Sequence, residues 1–181
     1  ARAGVLEARN RRARPHRDDK ILTDWNGLMI GALAYGAQGL QEPRYAQAAK
    51  EAATFLLDKL ESTGQLLHRY RDGEAAIPAF LEDYAFLSGG LLDLYTATGE
   101  VRWLSAAIRL TKTMVQLFWD EQEGGFFLTS ATHDPLIAKT KPLYDGAHPS
   151  GNSAAALQLV RLAQLTMDPE LTRYAERQMN T

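Results

Sequence analysis

The feature that most constrains this chain is a repeat. Three times, a short polar cluster opens a long apolar segment, and an amphipathic segment follows after an acidic residue. The polar clusters are Asp24-Trp25-Asn26, Glu82-Asp83-Tyr84 and Ser150-Gly151-Asn152-Ser153. Because one helical hairpin cannot cover the apolar helix that it carries, such units must stack side by side. The starts of the apolar helices then gather on one rim, where we expect the functional residues.

In each hairpin the first helix is the more apolar one. The first of them carries small and apolar residues at the i, i+3, i+4 and i+7 positions and on its other side as well, which predicts a helix buried all round. Each partner keeps one apolar stripe and faces water. We predict inner helices near 24–40, 80–97 and 152–166, and outer helices near 43–61, 102–118 and 169–179.

Short strands are predicted between the hairpins. Residues Leu66 to Arg71 alternate and end at the turn pair Asp72-Gly73, so Glu74 to Pro78 can return as a hairpin. A second candidate joins Gly124 to Thr129 with Ile137 to Lys141, across a turn at Asp134-Pro135. Both hairpins project from loops at the rim and would form its walls. They do not form a separate β-sheet domain.

The composition of the chain excludes several classes of function. The 181 residues have a net charge of −2 and no cysteine, which excludes disulfides, thiolate metal sites and thiol catalysis in this segment. No apolar run reaches the length of a membrane span and no signal peptide is recognisable, so we expect a soluble, cytoplasmic chain without a membrane partner. The four histidines lack metal-ligand spacing, and neither a metal nor another cofactor is expected.

A single domain is expected over 1–181, with a basic helix and linker at 1–17 and three hairpins at 18–181. Five arginines lie between Arg9 and Arg17, a pattern that can bind phosphate or nucleic acid. Because Asp18-Asp19 offset this charge and the domain is nearly neutral, no nucleic-acid partner is expected. The start at Ala1 suggests a segment of something longer, and its uncovered apolar flanks predict self-association.

Three motifs, in order along the chain, resemble one family. They are Asp18 to Leu28 (DDKILTDWNGL), Phe80 to Leu87 (FLEDYAFL) and Tyr144 to Ser153 (YDGAHPSGNS). Together they are similar to the YyaL-type family, also called the thioredoxin-domain spermatogenesis-associated protein family.

This resemblance implies a thioredoxin-like domain, absent from this chain, followed by a toroid of helical hairpins similar to six-hairpin glycosidases and N-acylglucosamine 2-epimerases. The chain would then be an all-α protein: about three of the six hairpins of an (α/α) toroid, with β-hairpin excursions in the loops. The stretch Asp120 to Phe127 also resembles a hairpin of the epimerase-like toroids, but their paired catalytic histidine motifs are not recognisable.

The candidate catalytic residues are Asp24, Glu82, Asp83 and His68. A carboxylate at Asp24 is favoured by the helix start, although an ordinary N-cap at Thr23 or Asp24 explains it equally. Glu82 and Asp83 stand in an apolar run, so they must find partners or face an opening. If the inner helices converge, the carboxyls of Asp24 and Asp83 lie within about 10 Å and can act as acid and base on a glycosidic bond.

Each of these residues has a structural alternative. The two acids of the second cluster could bind backbone N–H groups, Lys20 or Arg69 without any ligand. His68 could transfer a proton near neutral pH, or it could be a plain strand-face residue.

The candidate ligand-binding residues surround the same rim: Trp25, Asn26, Tyr84, Phe126, Asp145, His148, Ser150 and Asn152. Trp25 could stack on a sugar face or pack in the core. The polar residues of the loop before the third inner helix could cap that helix or bind hydroxyl groups.

Two functions therefore stay open. One is a carbohydrate-active enzyme, either a hydrolase or an isomerase, acting on a small-molecule carbohydrate. The other is a non-catalytic binding or scaffold module that serves the thioredoxin-like domain.

Overall fold

A computed structural model describes residues 2–62, 64–130 and 138–180. Within these ranges the chain is mostly helical, with seven helices and a small sheet, which confirms the predicted helical-hairpin architecture. The helices are α1 Arg2–Asn10, α2 Thr23–Gly39, α3 Pro43–Lys59, α4 Leu81–Thr98, α5 Val101–Phe118, α6 Gly151–Thr166 and α7 Pro169–Met179.

Helices α2 to α7 form three consecutive hairpins, and every bound lies within two residues of its prediction. Pro43 and Pro169 occupy the first turns of α3 and α7, where a missing N–H costs no helical hydrogen bond. Helix α4 ends at Gly99 in the left-handed conformation, φ 70°. Local sequence signals therefore fix the helix ends.

The inner helices α2, α4 and α6 run parallel. Residues that lie later in one helix contact residues that lie later in the neighbouring helix. A Cβ atom at Gly27 would lie 2.6 Å from the Leu87 nitrogen, and one at Gly31 would lie 2.9 Å from the Asp93 carboxylate. On the other side of α4, Gly151 lies against Leu81 at the start of both helices. The three amino-terminal ends consequently meet on one rim, as the repeat predicts.

A small antiparallel sheet lies at this rim. Its strands are β1 Ile21–Leu22, β2 Glu61–Ser62, β3 Gln65–Arg71 and β4 Glu74–Pro78, and β3 pairs with the other three. The predicted hairpin of β3 and β4 is confirmed, and its turn residues Asp72 and Gly73 both have positive φ, 53° and 85°.

The second predicted hairpin is not found in the described residues. Phe126 instead forms a β-bridge with Trp119, and Phe127 donates a backbone hydrogen bond to Phe118. One bond, from the Leu128 N–H to the Thr140 carbonyl at 2.8 Å, joins the two segments that were expected to pair. The turn at Asp134-Pro135 and Ile137 lie outside the described residues.

The prediction that the first inner helix is buried all round is wrong. Along α2, the side of Trp25, Met29 and Tyr35 is 56–62% exposed, because no described element covers it. A second exposed apolar edge follows α6 and α7, where Met167 and Met179 are 81% and 70% exposed. Self-association through such flanks stays a prediction.

Helix α1 buries no residue, in keeping with the solvated basic helix expected there. None of the helices in the described part of the chain combines the length and the apolar character that a bilayer crossing requires.

Candidate functional site

Strand β3 crosses the amino-terminal ends of α2 and α4 and brings His68 to them. Two hydrogen bonds fasten this strand to the helices: Thr23 Oγ1 donates to the Leu67 carbonyl at 2.6 Å, and the Leu66 N–H donates to the Tyr84 hydroxyl at 2.8 Å. His68 therefore occupies a fixed position between them.

Asp83 is the centre of the site. Its side chain is fully buried and accepts N–H groups from both helix starts: from Phe80 at 2.8 Å and from Asp24 at 3.0 Å. Since the positive ends of two helix dipoles point at it, a carboxylate is favoured here despite burial. The structural alternative of backbone binding is confirmed for this residue, and Asp83 does not reach the rim surface as the predicted glycosidic acid or base would have to.

His68 is the ionisable group that Asp83 presents to solvent. Nδ1 of His68 lies 3.0 Å from both carboxylate oxygens of Asp83, so this nitrogen carries the hydrogen. Its ring packs edge-on against Phe80, with centroids 5.3 Å apart. The side chain is 22% exposed, and among the described residues no group bonds to Nε2. Nε2 is thus the atom available to a ligand.

The pKa values of both His68 and Asp83 are raised above those of the free side chains. The hydrogen bond to Asp83 raises the pKa of His68, helped by the nearby charges of Asp24 and Glu82, while desolvation opposes the rise. Burial raises the pKa of Asp83, and the hydrogen bond from His68 lowers it. We therefore assign the pair as a carboxylate and an imidazolium that loses its proton above the usual histidine pKa.

Asp24 completes a cluster of three. Ligating atoms of Asp24, His68 and Asp83 all lie within 4.8 Å of one another, well inside the separation of about 10 Å that the Asp24 and Asp83 carboxyls need to act on one glycosidic bond. The Oδ1 atom of Asp24 accepts the Trp25 N–H at 2.7 Å, and the residue lies in the first turn of α2, after the cap position of Leu22. The ordinary N-cap alternative is therefore wrong for Asp24.

This cluster also has the composition of a cation site, with two carboxylates and one imidazole. The oxygens of Asp83 already accept three N–H groups, so a metal would have to displace the histidine hydrogen. The expectation that no metal binds stays a prediction.

The start of α6 forms a separate polar cluster. Ser150 caps this helix by accepting the Ser153 N–H at 3.1 Å, and Asp145 accepts the Ser150 N–H at 2.8 Å. The hydrogen bond from the Ser150 N–H lowers the pKa of Asp145. Capping thus accounts for Ser150, and Asp145 stays exposed.

Three predicted ligand contacts are corrected by burial. Tyr84 is 1% exposed and packs on Phe118, Phe126 is 0% exposed, and Asn152 is 1% exposed. The Asn152 amide bonds the backbone N–H of Phe126 at 2.8 Å and its carbonyl at 2.9 Å. These side chains support the rim from inside and cannot contact a ligand in this conformation.

The remaining predicted residues do face the rim. Trp25 is 62% exposed, so the core-packing alternative is wrong. Asn26 donates to the Leu22 carbonyl at 2.7 Å, and Glu82 is half-buried beside Gly151. His148 is exposed and lies edge-on to Phe86, with ring centroids 5.9 Å apart.

Sequence reasoning missed a strained residue next to the site. In the register of the β3–β4 hairpin, Ile77 is the residue that faces His68, and its φ is 69°. A β-branched side chain rarely adopts this conformation. Backbone strain leaves no signal in the sequence.

The fold and this rim define the class of the chain: about half of an (α/α) six-hairpin toroid of the glycosidase-like type. Solved structures support this fold assignment. The chain aligns with cellobiose 2-epimerase from Spirochaeta thermophila with a TM-score of 0.70 and 19% identity, over 88% of this chain and 42% of that one. It aligns with the GH76 alpha-mannanase BT2949 from Bacteroides thetaiotaomicron with a TM-score of 0.72 and 18% identity, over 93% and 45%. At these identities the likeness shows the fold alone.

The similar sequences are more specific. The chain is 40% identical to spermatogenesis-associated protein 20 of Homo sapiens over 173 residues, and 34% identical to the uncharacterized protein B0495.5 of Caenorhabditis elegans over 166 residues. These matches cover 90% and 87% of this chain, which spans about a fifth, 22%, of the length of each relative. No family model matches. The first match agrees with the family resemblance of the three motifs, whereas the thioredoxin-like domain and the YyaL relationship stay predictions.

Proposed function

We propose that this chain is part of a carbohydrate-active enzyme whose rim exchanges a proton with a sugar. The observation that carries the proposal is the arrangement of His68: Asp83 holds its Nδ1, the side chain is 22% exposed, and Asp24 lies within 4.8 Å. An oriented histidine with a raised pKa is the usual equipment of general acid–base catalysis.

The geometry favours isomerisation over hydrolysis. Glycoside hydrolysis needs two carboxyl groups that both face the sugar. Asp83 is buried and its oxygens accept N–H groups, so it cannot be that partner of Asp24, and half-buried Glu82 is the one other candidate acid at this rim. One imidazole is sufficient for the other reaction, the transfer of a proton at the carbon next to a sugar carbonyl.

In the proposed step, neutral His68 takes the proton of that carbon on Nε2. The C–H electron pair forms the carbon–carbon double bond of an enediolate, and the carbonyl oxygen takes the negative charge. Return of the proton from His68 to the same face restores the starting sugar, and its return after the enediolate has turned its other face to His68 gives the epimer. Asp83 stabilises the imidazolium, Asp24 accepts a ligand hydroxyl, and exposed Trp25 offers a stacking surface.

The structural neighbours guide the choice of probes. They include a cellobiose 2-epimerase and an alpha-mannanase, which share this fold. We therefore choose glucose, mannose, cellobiose and an α-linked mannobiose as probes.

The test is incorporation of deuterium at C2 of these reducing sugars in D₂O, followed by NMR, together with ligand-induced shifts of the His68 imidazole signals. Wild type is expected to exchange at least one sugar, and His68→Gln to lose the exchange by 100-fold or more. Asp83→Asn, where it folds, should shift the pH profile toward acid. His16→Gln, at an exposed histidine of the basic segment, is the matched control.

The second candidate, a non-catalytic module serving a thioredoxin-like domain, is favoured by one observation. The bonds of Asp83 to the Asp24 and Phe80 N–H groups give this carboxylate a structural task without any ligand. This candidate replaces the first if no probe shifts the His68 signals and no deuterium enters any sugar.

A further inference from the structure

Strand β3 meets each of the two helix starts beside His68 through a buried hydroxyl group. Thr23, the first residue of α2, and Tyr84, near the start of α4, are 0% and 1% exposed. The Thr23 hydroxyl donates to the Leu67 carbonyl at 2.6 Å. The Tyr84 hydroxyl accepts the Leu66 N–H at 2.8 Å. Residues 66 and 67 come directly before His68, so both bonds act on the backbone that carries its side chain.

The Thr23 hydroxyl takes the place of a backbone donor at one edge of β3. Strand β1 pairs with β3 in an antiparallel register that, continued by two residues, would set the Asp24 N–H against the Leu67 carbonyl. That N–H donates to Asp83 instead, because the chain turns into α2 at Thr23. Thr23 therefore supplies the donor that the sheet gives up so that Asp83 can be held.

Tyr84 has the matching task at the other edge of β3. The register of β3 with β4, continued by one residue, sets Leu66 against Ala79. The Ala79 N–H donates to the Leu66 carbonyl at 3.1 Å. In a regular ladder the Leu66 N–H would donate back to Ala79, whereas here it donates to the Tyr84 hydroxyl. Each helix start thus supplies one hydroxyl group at the point where a neighbouring strand ends.

These bonds bear directly on the geometry of the imidazole. The Leu67 carbonyl belongs to the peptide group that contains the His68 nitrogen, so the Thr23 bond fixes that peptide group. Nδ1 of His68 lies 3.0 Å from both oxygens of Asp83, and hydrogen bonds of this kind weaken steeply as their alignment is lost. A shift of β3 against the helices would therefore loosen the contact that orients the ring.

Resting on the proposed function, we infer that Thr23 and Tyr84 are positioning residues for proton transfer by His68. Both are too deeply buried to touch a sugar, and they act by holding β3 where Asp83 can orient the imidazole. Misplacement of a reacting group by about 1 Å can lower a rate about 100-fold. Loss of either hydroxyl should consequently slow the reaction without weakening sugar binding.

The experiment removes each hydroxyl and measures deuterium exchange at C2 over a range of sugar concentrations. Thr23→Val should lower the exchange rate at saturation about tenfold or more and change the half-saturating concentration less than about twofold. Tyr84→Phe should act in the same direction. Thr23→Ser keeps the hydroxyl and should restore the rate. Thr96→Val is the matched control, because the Thr96 hydroxyl donates to the Leu92 carbonyl of its own helix at 3.0 Å.

The NMR signals of the His68 imidazole give a second readout, which needs no sugar. In Thr23→Val the Nδ1 proton should move upfield and the pKa of the ring should fall, because the hydrogen bond to Asp83 raises that pKa. Thr23→Ser should return both to their wild-type values, and Thr96→Val should leave both unchanged.

Thermal unfolding shows which variants fold. The inference is overturned if folded Thr23→Val and Tyr84→Phe keep the wild-type exchange and imidazole signals, or if neither variant folds, since the hydroxyls would then serve stability alone. Exchange that requires His68 but is unaffected by both substitutions would leave the proposed function standing. If wild type exchanges no sugar while the imidazole signals move as expected, the proposed function falls and the positioning of His68 by these hydroxyls is supported.

Discussion

Asp83→Ala is the most informative single change, because Asp83 joins two inner helices and one strand. The substitution removes a buried acceptor from the N–H groups of Asp24 and Phe80 and from His68. Each buried backbone N–H left unpaired costs about 1–3 kcal/mol. His68 is partly exposed and can bind water instead, so its share is smaller.

The sum of these losses is offset in part, since the variant no longer buries a charge. Breaking a buried ionic pair by removing one partner costs about 3–5 kcal/mol in measured cases, and we expect a loss of that size here. For a chain of 181 residues, about 2–4 °C per kcal/mol converts this into a fall in Tm of roughly 6–20 °C.

The assay is thermal and urea unfolding followed by circular dichroism at pH 7. Asp58→Ala is the matched control, because Asp58 is an exposed aspartate of α3, and it should change stability by less than about 0.5 kcal/mol. A loss of less than about 1 kcal/mol in the free energy of unfolding for Asp83→Ala would refute the reasoning, because two unpaired buried N–H groups should destabilise the fold by more than that.

Three further changes test other parts of the structure. The pKa of His68 is raised, so the folded state keeps a proton that the unfolded chain releases. The free energy of unfolding should therefore fall as pH rises from about 6.5 through the folded pKa. In urea titrations at several pH values, His68→Gln should flatten this slope. Gly90→Ala places a Cβ atom against the Gly27 carbonyl oxygen and should lower the free energy of unfolding by about 1–3 kcal/mol. Gly39→Ala, which has open space around it in an inner helix, should raise it by up to about 1 kcal/mol. Equal effects of the two substitutions would contradict the close helix contact. Ile77→Gly should raise stability by about 1 kcal/mol in the same assay by relieving the positive φ, and a clear loss would show that this conformation is not strained.

The helices could be predicted closely because their signals are local. Burial periodicity, the prolines at 43 and 169 and the glycine at 99 act within one or two turns, so they fix each end without knowledge of the fold. The β3–β4 hairpin was predictable for the same reason, since the turn at Asp72-Gly73 joins strands that are adjacent in sequence.

Contacts between distant segments could not be read in this way. The strands β1 and β2 are two residues long and exist only because β3 pairs with them. The Arg161–Asp93 pair joins residues 68 positions apart, each of which reads as an ordinary helix charge. Exposure of Trp25 depends on which neighbours are absent from its side, and no pattern within α2 reports that.

The site itself was half predictable, and the reason lies in Asp83. Its position within an apolar run, in the first turn of an inner helix, indicated a carboxylate with partners, but which partners it has depends on β3 crossing the rim. Because those partners are two helix starts and an imidazole, one carboxylate sets the spacing of α2 and α4 and also the orientation of His68. A substitution at Asp83 therefore changes both the helix packing and the chemistry of the site. His68 has only the chemical role, because its imidazole caps no helix. His68→Gln should remove proton transfer while the hairpins keep their arrangement.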